Sequence, residues 1–326
     1  MSTSKKIIWI DDNPTRSSIA EELGATFVNV RGKDLALQVA ELLDGPPPSL
    51  VILDHILDKT TTTNPIFQKG STIAEAIKEK WPFCPVVGIT NVDNLQDIDL
   101  RTKGTYDALF PYYDFGKYIA RIKAIRKGFA LVTRIKAKTA HKLIHLLKPP
   151  EDDIERLVAA LPDDLKEKGY SKDASVASRL HRWVNHLVER PGFLFDDLWA
   201  ATFLGLNEVG FKKVVSHFER ARYHGVFAHD QDQERRWWSS RITEHLYKVC
   251  KPVVGEMSWQ AGRRLPSINE EHFSRCHVCR KEYPETVGYL DTKINERRAM
   301  HMKCTVLHPH HKRELYFEDI RMMRGS

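Results

Sequence analysis

The sequence predicts a multidomain protein in which a doubly wound parallel α/β domain is followed by a helical domain and a small cysteine-rich module. Three observations support this prediction. The 326 residues exceed what one ordinary domain uses. Short β-rich runs alternate with helix-length stretches over the first third of the chain only. Three of the five cysteines lie close together near the C-terminus.

Five short apolar runs of the first domain are predicted strands. They are IIWI, FVNV, LVIL, VVGIT and ALF, which begin at residues 7, 27, 50, 86 and 108. Amphipathic stretches around residues 15–23, 33–43 and 71–80 are predicted helices. Because parallel neighbours need a long return connection, this alternation predicts a five-stranded parallel sheet covered by helices. Binding sites of such domains lie at the carboxyl ends of the strands.

Acidic residues follow two of these predicted strands. Asp11 and Asp12 come directly after IIWI, and Asp54 comes directly after LVIL. Since both strand ends face the same edge of a parallel sheet, three carboxylates are expected to converge, which is costly unless a cation or protons neutralise them. Oxygen ligands of this kind suit Mg²⁺, which also accepts phosphate oxygens. Thr90 ends VVGIT, where its hydroxyl is expected to meet a phosphoryl group.

This series of motifs resembles the receiver domain of two-component response regulators. The resemblance rests on the acidic pair in WIDDNP, the aspartate in VILDHIL, the threonine in GITN and the final short strand in DALFP, and it covers about the first 125 residues. It implies that Asp11, Asp12 and Asp54 hold Mg²⁺, that Asp54 is the phosphoacceptor and that Thr90 is the switch residue. It also implies a histidine kinase or another phosphodonor as a partner.

Two features depart from the receiver pattern. Receivers normally carry a lysine just before the proline that follows the last strand, and here the pair is Phe110-Pro111. Because that lysine pairs with the phosphoryl group, its loss is expected to weaken coupling between phosphorylation and conformation. The stretch DKTTTTNPIFQKG after Asp54 is longer and more polar than the usual loop. Two interpretations stay open, a phosphorylatable receiver and a pseudo-receiver that serves for docking.

A basic segment follows the first domain. Residues 115–148 contain ten Lys or Arg residues and no Asp or Glu. Apolar residues recur among them at close to the period of a helix. The pattern predicts a helical connector that is interrupted at Gly128 and ended by Pro149 and Pro150. Its apolar stripe also suggests a homodimer. The predicted boundaries are 1–127 for the receiver-like domain, 128–150 for the connector, 151–255 for the helical domain and 256–326 for the cysteine-rich module.

Residues 200–215 have the spacing of a helix-turn-helix. Ala201 would lie where two helices cross, Gly205 would form the turn, and Asn207 would cap the second helix. The positions predicted to face DNA phosphates are Lys212, Lys213, His217 and Arg220. Glu208 opposes this interpretation, because its negative charge near the start of the second helix repels DNA. A structural helix pair therefore remains the alternative.

The C-terminal cysteines form a CxxC pair that is followed by an HxxC pair. The four residues are Cys276, Cys279, His301 and Cys304. Two ligands two residues apart can bind one metal from a tight turn, and the second pair completes a tetrahedral site. Three thiolates and one imidazole favour a structural Zn²⁺ without an open coordination position. The spacing resembles one zinc-binding half of a LIM or other treble-clef module, and reduced cysteines in a small core are the alternative.

Together these features predict a response-regulator-like signalling protein, whose receiver controls a helical and zinc-containing output that binds DNA or a protein partner. The alternative is a pseudo-receiver adaptor or assembly protein, as in a bacterial stress or antiviral defence system, that is not phosphorylated. A nuclease with the HPHH segment in its site is disfavoured, because the carboxylates and histidines lack a recognisable metal-nuclease spacing.

Charge and hydropathy restrict the location and the partners. The formal net charge of +7 is compatible with an acidic partner. No run of about 18 apolar residues occurs, and MSTSKKIIWIDD has no signal-peptide pattern. The sequence therefore predicts a cytoplasmic protein that does not enter a membrane.

Overall fold

The structure is a computed structural model that describes residues 6–58, 69–91, 98–135, 137, 139–166, 175–189, 192–228, 235–282, 286–291, 296–301 and 304. Most of the polar loop after Asp54, at 59–68, and the HPHH segment at 308–311 lie outside these residues. The chain divides into two compact units, Met1–His186 with His224–Gln231, and Leu187–Tyr223 with Asp232–Ser326.

A five-stranded parallel sheet forms the centre of the first unit. Its strands are β1 (Ile7–Asp11), β2 (Ala25–Asn29), β3 (Leu50–Asp54), β4 (Val86–Thr90) and β5 (Ala108–Pro111). Their order is β2-β1-β3-β4-β5, which is the 2-1-3-4-5 order of flavodoxin-like doubly wound domains. Each predicted apolar run lies in one of these strands, so the predicted sheet is confirmed.

Helices connect the strands. They are α1 (Ser17–Glu22), α2 (Leu35–Asp44), α3 (Gly70–Lys80) and α4 (Leu100–Thr105). Asp34 and Asp99 cap α2 and α4, since their carboxylates accept backbone N–H groups of the first turns. The central strands β3 and β4 are buried at every position, as expected for strands of a parallel sheet with both faces covered.

The basic helix after the sheet covers only the middle of residues 115–148, the stretch that the sequence pattern marks as helical. It is α5 (Ile119–Ile135), and it runs through Gly128 without a break, so the predicted interruption is wrong. A Cβ atom at Gly128 would lie 2.2 Å from the ring of Phe227. The glycine therefore serves close packing of an aromatic side chain on the helix. The next helices are α6 (Ala140–His145), α7 (Ile154–Ala160) and α8 (Val176–Glu189).

The second unit contains mainly helices, as predicted for the middle of the chain, together with two small antiparallel sheets. The helices are α9 (Asp197–Phe203), α10 (Glu208–Val214), α11 (Ser239–Cys250) and α12 (Ser258–Gly262). One sheet pairs β6 (Leu194–Phe195) with β7 (Trp237–Trp238), and the other pairs β8 (Thr286–Asp291) with β9 (Glu296–His301). Ala201, Leu206, Phe211 and Trp237 belong to its apolar core.

Across the described ranges, we find no helix that combines the length and the apolar character needed to cross a bilayer.

Candidate functional site

Three carboxylates meet at the carboxyl edge of the sheet in the first unit. Asp11 ends β1, Asp12 follows it, and Asp54 ends the neighbouring strand β3. All three are buried, and one oxygen atom from each lies within 4.8 Å of the others. The structure thus brings together the residues that the sequence placed at one sheet edge. Their donor type and spacing fit a divalent cation such as Mg²⁺.

Arg16 inserts its guanidinium group among these carboxylates. Its Nη1 lies 2.8 Å from Asp11 Oδ2 and 3.0 Å from Asp54 Oδ2. Its Nη2 donates a hydrogen bond of 2.8 Å to Asn91 Oδ1, and the ring centroid of Tyr112 lies 4.0 Å from its central carbon. The Arg16 side chain is only 1% exposed. A cation from the chain itself therefore neutralises part of the acidic cluster.

A short turn after β1 delivers Arg16 to the pocket. Asn13 begins a 3-10 helix (Pro14–Arg16), and its side chain accepts the backbone N–H of Thr15 at 3.2 Å. Asp11 in turn accepts hydrogen bonds from Trp9 Nε1 at 3.0 Å and from the backbone of Asn13 at 2.8 Å. The sequence reasoning missed Arg16. A usable signal was present, because a buried acidic cluster requires a cation and WIDDNPTR carries an arginine one short turn later.

The electrostatics of the pocket follow from three clustered carboxylates, two of which contact one guanidinium. Burial raises the pKa of Asp54 to about 7, and the carboxylate of Asp11 adds to this rise, while Arg16 opposes it. Burial alone would lower the pKa of Arg16, but the carboxylates of Asp54 and Asp11 raise it above its ordinary value. Arg16 therefore stays charged and offsets part of the negative charge of the pocket.

The lysine position of the receiver pattern is occupied by an aromatic ring. Phe110 is 3% exposed and stacks on Tyr118 with ring centroids 4.5 Å apart. Lys117 is exposed. Thr90 is fully buried at the end of β4, in register with Pro111. The cation in contact with Asp54 is thus Arg16, which the turn after β1 supplies. Thr90 is the last residue of β4, the strand next to the one that Asp54 ends.

The start of α3 lies directly against the end of β3. Gly70 donates its backbone N–H to the carbonyl oxygen of His55 at 2.9 Å. A Cβ at Gly70 would lie 2.1 Å from the carbonyl oxygen of Asp54, so only glycine fits this close approach. His55 Nδ1 and the hydroxyl of Tyr106 share a hydrogen bond of 3.2 Å beside it. These contacts fix the backbone that carries the Asp54 carboxylate.

The second unit gathers the predicted cysteine and histidine ligands. One ligand atom each from Cys276, Cys279, His301 and Cys304 lies within 4.8 Å of the others. The sulfur of Cys276 accepts the backbone N–H of His301 at 3.3 Å, and Cys279 Sγ lies 3.3 Å from His301 Nδ1. The buried Nε2 of His301 has no hydrogen-bond partner within the described part of the chain. This donor set, with Nδ1 of His301 beside the Cys279 sulfur, fits a zinc ion.

Backbone groups prepare one of these sulfurs to bind a cation. Burial would raise the pKa of Cys276, but backbone N–H groups of Cys279 and His301 lower it below its ordinary value. Conversely, burial and the neighbouring sulfurs raise the pKa of Cys304 to about 11. When several thiols lie close together, the ionisation of one therefore disfavours the ionisation of the others, unless a metal offsets the negative charge.

Helices α9 and α10 have the local structure predicted for residues 200–215. Gly205 has a φ of +68°, and a Cβ there would lie 2.4 Å from the carbonyl oxygen of Trp259. Asn207 caps α10 by accepting the backbone N–H of Gly210 at 2.8 Å. Lys212, Lys213, His217 and Arg220 are all exposed, the last two in the 3-10 segment Val215–Ala221. Contact of these four residues with DNA stays a prediction.

No protein-family model matches this chain, and no curated protein matches it. Among solved structures, the response regulator TrrA from Thermotoga maritima in complex with Mg²⁺-BeF is 20% identical, covers 35% of this chain and 93% of its own, and has a TM-score of 0.27. A response regulator receiver domain protein from Clostridium thermocellum is 22% identical over 35% of this chain and 90% of its own, with a TM-score of 0.26. A Burkholderia pseudomallei response regulator with a phosphorylated aspartic acid is 14% identical over 56% and 92%, with a TM-score of 0.28.

Proposed function

We propose that the first unit is a receiver-like regulatory unit of a signalling protein, that Asp54 is its phosphoacceptor, and that its state controls a DNA-binding output in the second unit. One observation carries this proposal. Three buried carboxylates meet at the carboxyl edge of a parallel sheet with the 2-1-3-4-5 strand order. Sites of doubly wound domains lie at this edge, and such a cluster is a place for a cation and a phosphoryl group.

Each polar group of the pocket has a role in this proposal. Asp11, Asp12 and Asp54 would hold Mg²⁺, which supplies positive charge that offsets the carboxylates and the phosphoryl oxygens. Asp54 presents the attacking oxygen to a histidine kinase or another phosphodonor. The hydroxyl of Thr90, buried at the end of β4, donates a hydrogen bond to the phosphoryl group.

Arg16 sets the condition for phosphorylation. Its guanidinium contacts one oxygen atom each of Asp11 and Asp54, so a divalent cation would compete with it for the negative charge of the same two carboxylates. Breaking two buried charge-assisted contacts is costly, and the form with Arg16 in place is therefore the resting form. Withdrawal of Arg16 would open the pocket. This movement would serve as the conformational switch in place of the lysine that receivers carry at the position of Phe110.

Beryllofluoride with Mg²⁺ tests this proposal. Trp9 donates to Asp11, so its fluorescence is expected to change when the pocket is occupied. We expect a change in the wild type that the Trp9→Phe variant lacks and that Asp54→Asn abolishes, and acetyl phosphate should add one phosphoryl mass to the wild type only. Asp58→Asn is a matched control, because Asp58 is an exposed aspartate on the same segment. A wild type without either response contradicts phosphorylation.

A second candidate function is the pseudo-receiver adaptor, which docks a partner without phosphorylation. Two observations favour it, namely the guanidinium of Arg16 in the pocket and the stacked Phe110 in place of a lysine. In that case Asp54→Asn keeps partner binding intact. Capture of partners from the native host by wild type and Asp54→Asn protein, compared side by side, separates the two functions.

The output of the second unit combines two elements in this proposal. Cys276, Cys279, His301 and Cys304 would hold a structural zinc ion, which ties the CxxC turn to the end of β9. Exposed polar side chains at the C-terminal part of the predicted helix-turn-helix and just beyond it would contact DNA phosphates. They are Lys212, Lys213, His217 and Arg220.

A further inference from the structure

A groove in the second unit is lined by an unusual number of arginines. It has a volume of about 480 Å³ and lies among the CxxC turn, the strand β9 and the first turn of α10. Four guanidinium groups line it, together with the imidazole of His277 and a single carboxylate, that of Glu208. The four arginines are Arg275, Arg280, Arg297 and Arg298.

Several of these side chains are held in place by the surrounding structure. Arg297 Nη1 lies 3.0 Å from Asp196 Oδ2 and donates to the carbonyl oxygen of Val188 at 3.1 Å. Arg298 Nη1 lies 2.5 Å from Nε2 of the His277 ring. A positioned cation loses less conformational freedom when it binds an anion, so these contacts prepare the groove for a ligand.

The backbone links the groove to the cysteine and histidine cluster. His277 lies inside the CxxC motif, and its backbone N–H donates to the carbonyl oxygen of Ala299 in β9 at 2.8 Å. The same turn is closed by a hydrogen bond of 2.9 Å from the N–H of Arg280 to the carbonyl oxygen of Cys276. The hydrogen bond of His277 therefore connects the turn that Arg275 and Arg280 flank to β9, which carries Arg297 and Arg298.

The composition of the lining indicates the chemical class of the ligand. Guanidinium groups match the paired oxygens of phosphate, and the lining contains four of them with one carboxylate, although Arg275 and Arg297 also pair with Glu282 and Asp196 beside the groove. No Phe, Tyr or Trp lies among the described residues that line the groove, whereas single-stranded nucleic acids are bound largely by stacking on aromatic rings. A polymer that presents its phosphates without unstacking its bases fits this lining better.

The position of the groove points to duplex DNA. Asn207, Glu208 and Val209 also line it, and they form the cap and first turn of α10, the predicted recognition helix. In helix-turn-helix proteins this helix enters the major groove while neighbouring groups hold the backbone. We propose that the arginine-lined groove binds the sugar-phosphate backbone of duplex DNA next to α10. The inference rests on the proposed DNA-binding output and adds to it a contact surface separate from Lys212 and Lys213.

Salt-dependent binding of the full chain to a fluorescent duplex of about 20 base pairs tests this inference. The test variant combines Arg280→Gln with Arg298→Gln, which removes two groove cations and leaves the Asp196 contact of Arg297 intact. The matched control combines Lys251→Gln with Arg264→Gln, two exposed cations of the same unit that do not line the groove. We expect the groove variant to bind about 10 to 100-fold more weakly, with a salt slope smaller by about 2, and the control to bind like the wild type.

The outcomes distinguish the groove from the proposed function as a whole. A groove variant that binds like the wild type overturns the inference, and weaker binding of Lys212→Ala with Lys213→Ala would then still support the DNA-binding output. A wild type that binds no duplex overturns both. Preference for single-stranded RNA, or for an acidic peptide, would also contradict a duplex-backbone site.

Two controls keep the result independent of misfolding. Zinc content and thermal melting of the groove variant should equal those of the wild type. The conservative variant Arg280→Lys with Arg298→Lys keeps both charges but loses the planar fork of the guanidinium. It should retain the wild-type salt slope with a smaller loss of affinity, which a general structural defect would not produce.

Discussion

The carboxylate cluster of the first unit and the cysteine cluster of the second unit face the same electrostatic problem in different ways. Asp11 and Asp54 have a cation from the chain itself, because Arg16 lies 2.8 Å and 3.0 Å from them. In the second cluster, the described contacts join sulfur atoms to the imidazole and the backbone of His301. The first cluster therefore contains a cation of the chain itself, whereas the thiolate form of the second would need a metal to balance its charge.

The structures around the clusters reinforce this difference. The carboxylates end strands of a five-stranded sheet whose central strands are entirely buried. The cysteines and His301 lie on a short turn and at the end of a two-stranded hairpin. A two-stranded hairpin is marginally stable by itself, so the proposed zinc ion would contribute to folding, whereas the proposed Mg²⁺ in the first unit would serve function.

The largest expected effect is the loss of the hairpin when the metal is removed. A strong chelator, or Cys276→Ser, should abolish the hydrogen-exchange protection of β8 and β9, because zinc contributes about 10 to 16 kcal/mol to the folding of small modules. The amides of β3 should remain protected. Cys250→Ser is the control, since Cys250 lies outside the cluster and should keep the bound zinc. Equal loss of protection in both units would remove the contrast between the clusters.

The second effect concerns the cation of the first unit. Arg16→Ala leaves buried carboxylates uncompensated, so it should lower the free energy of unfolding of the first unit by about 3 to 5 kcal/mol in EDTA. Mg²⁺ should recover much of this loss in the variant and stabilise the wild type less, because in the wild type it must displace Arg16. Urea denaturation followed by hydrogen exchange of β1 measures both quantities. A variant that gains no more from Mg²⁺ than the wild type would show that the two cations do not compete.

The difference between the clusters also explains what the sequence could predict. The carboxylates were predictable because Asp11 and Asp54 end apolar runs, and strand ends of a parallel sheet share an edge. The local sequence WIDDNPTR offers Arg16 as a cation, but its place in the pocket depends on the turn at Asn13 and on contacts with Asn91 and Tyr112, which lie far along the chain. Local patterns predict elements and their ends, whereas the partner of a side chain across the fold is set by packing.

Glycines show the same limit within two helical regions. The helix-turn-helix spacing predicts a turn at Gly205, and the positive φ of this residue agrees with a turn there. Gly128 was misread as a break, because the reason for the glycine is the ring of Phe227. Residues His224–Gln231 belong to the first unit, although Leu187–Tyr223, which precede them, belong to the second. No local periodicity predicts such a return.

A third prediction contrasts an exposed cation with a buried one. Lys212 and Lys213 are exposed on α10, so Lys212→Ala with Lys213→Ala should leave the unfolding transition unchanged, unlike Arg16→Ala. The same variant should weaken binding to duplex DNA by about 1 to 3 kcal/mol and reduce the salt slope by about 2, because two phosphate contacts are lost. Fluorescence anisotropy at several salt concentrations measures this. Unchanged binding would leave α9 and α10 as a structural helix pair.

The smallest expected effect comes from removing one carboxylate of the pocket. Asp11 and Asp54 share the guanidinium of Arg16, and burial with the repulsion from Asp11 disfavours the charged form of Asp54. Asp54→Asn should therefore raise the free energy of unfolding of the first unit by about 1 kcal/mol in EDTA, while it weakens Mg²⁺ binding. Denaturation with and without Mg²⁺ compares the two effects. Since a group kept for its function need not stabilise the fold, a gain in stability with a loss of metal affinity would mark Asp54 as functional, and a loss of both would make it a structural partner of Arg16.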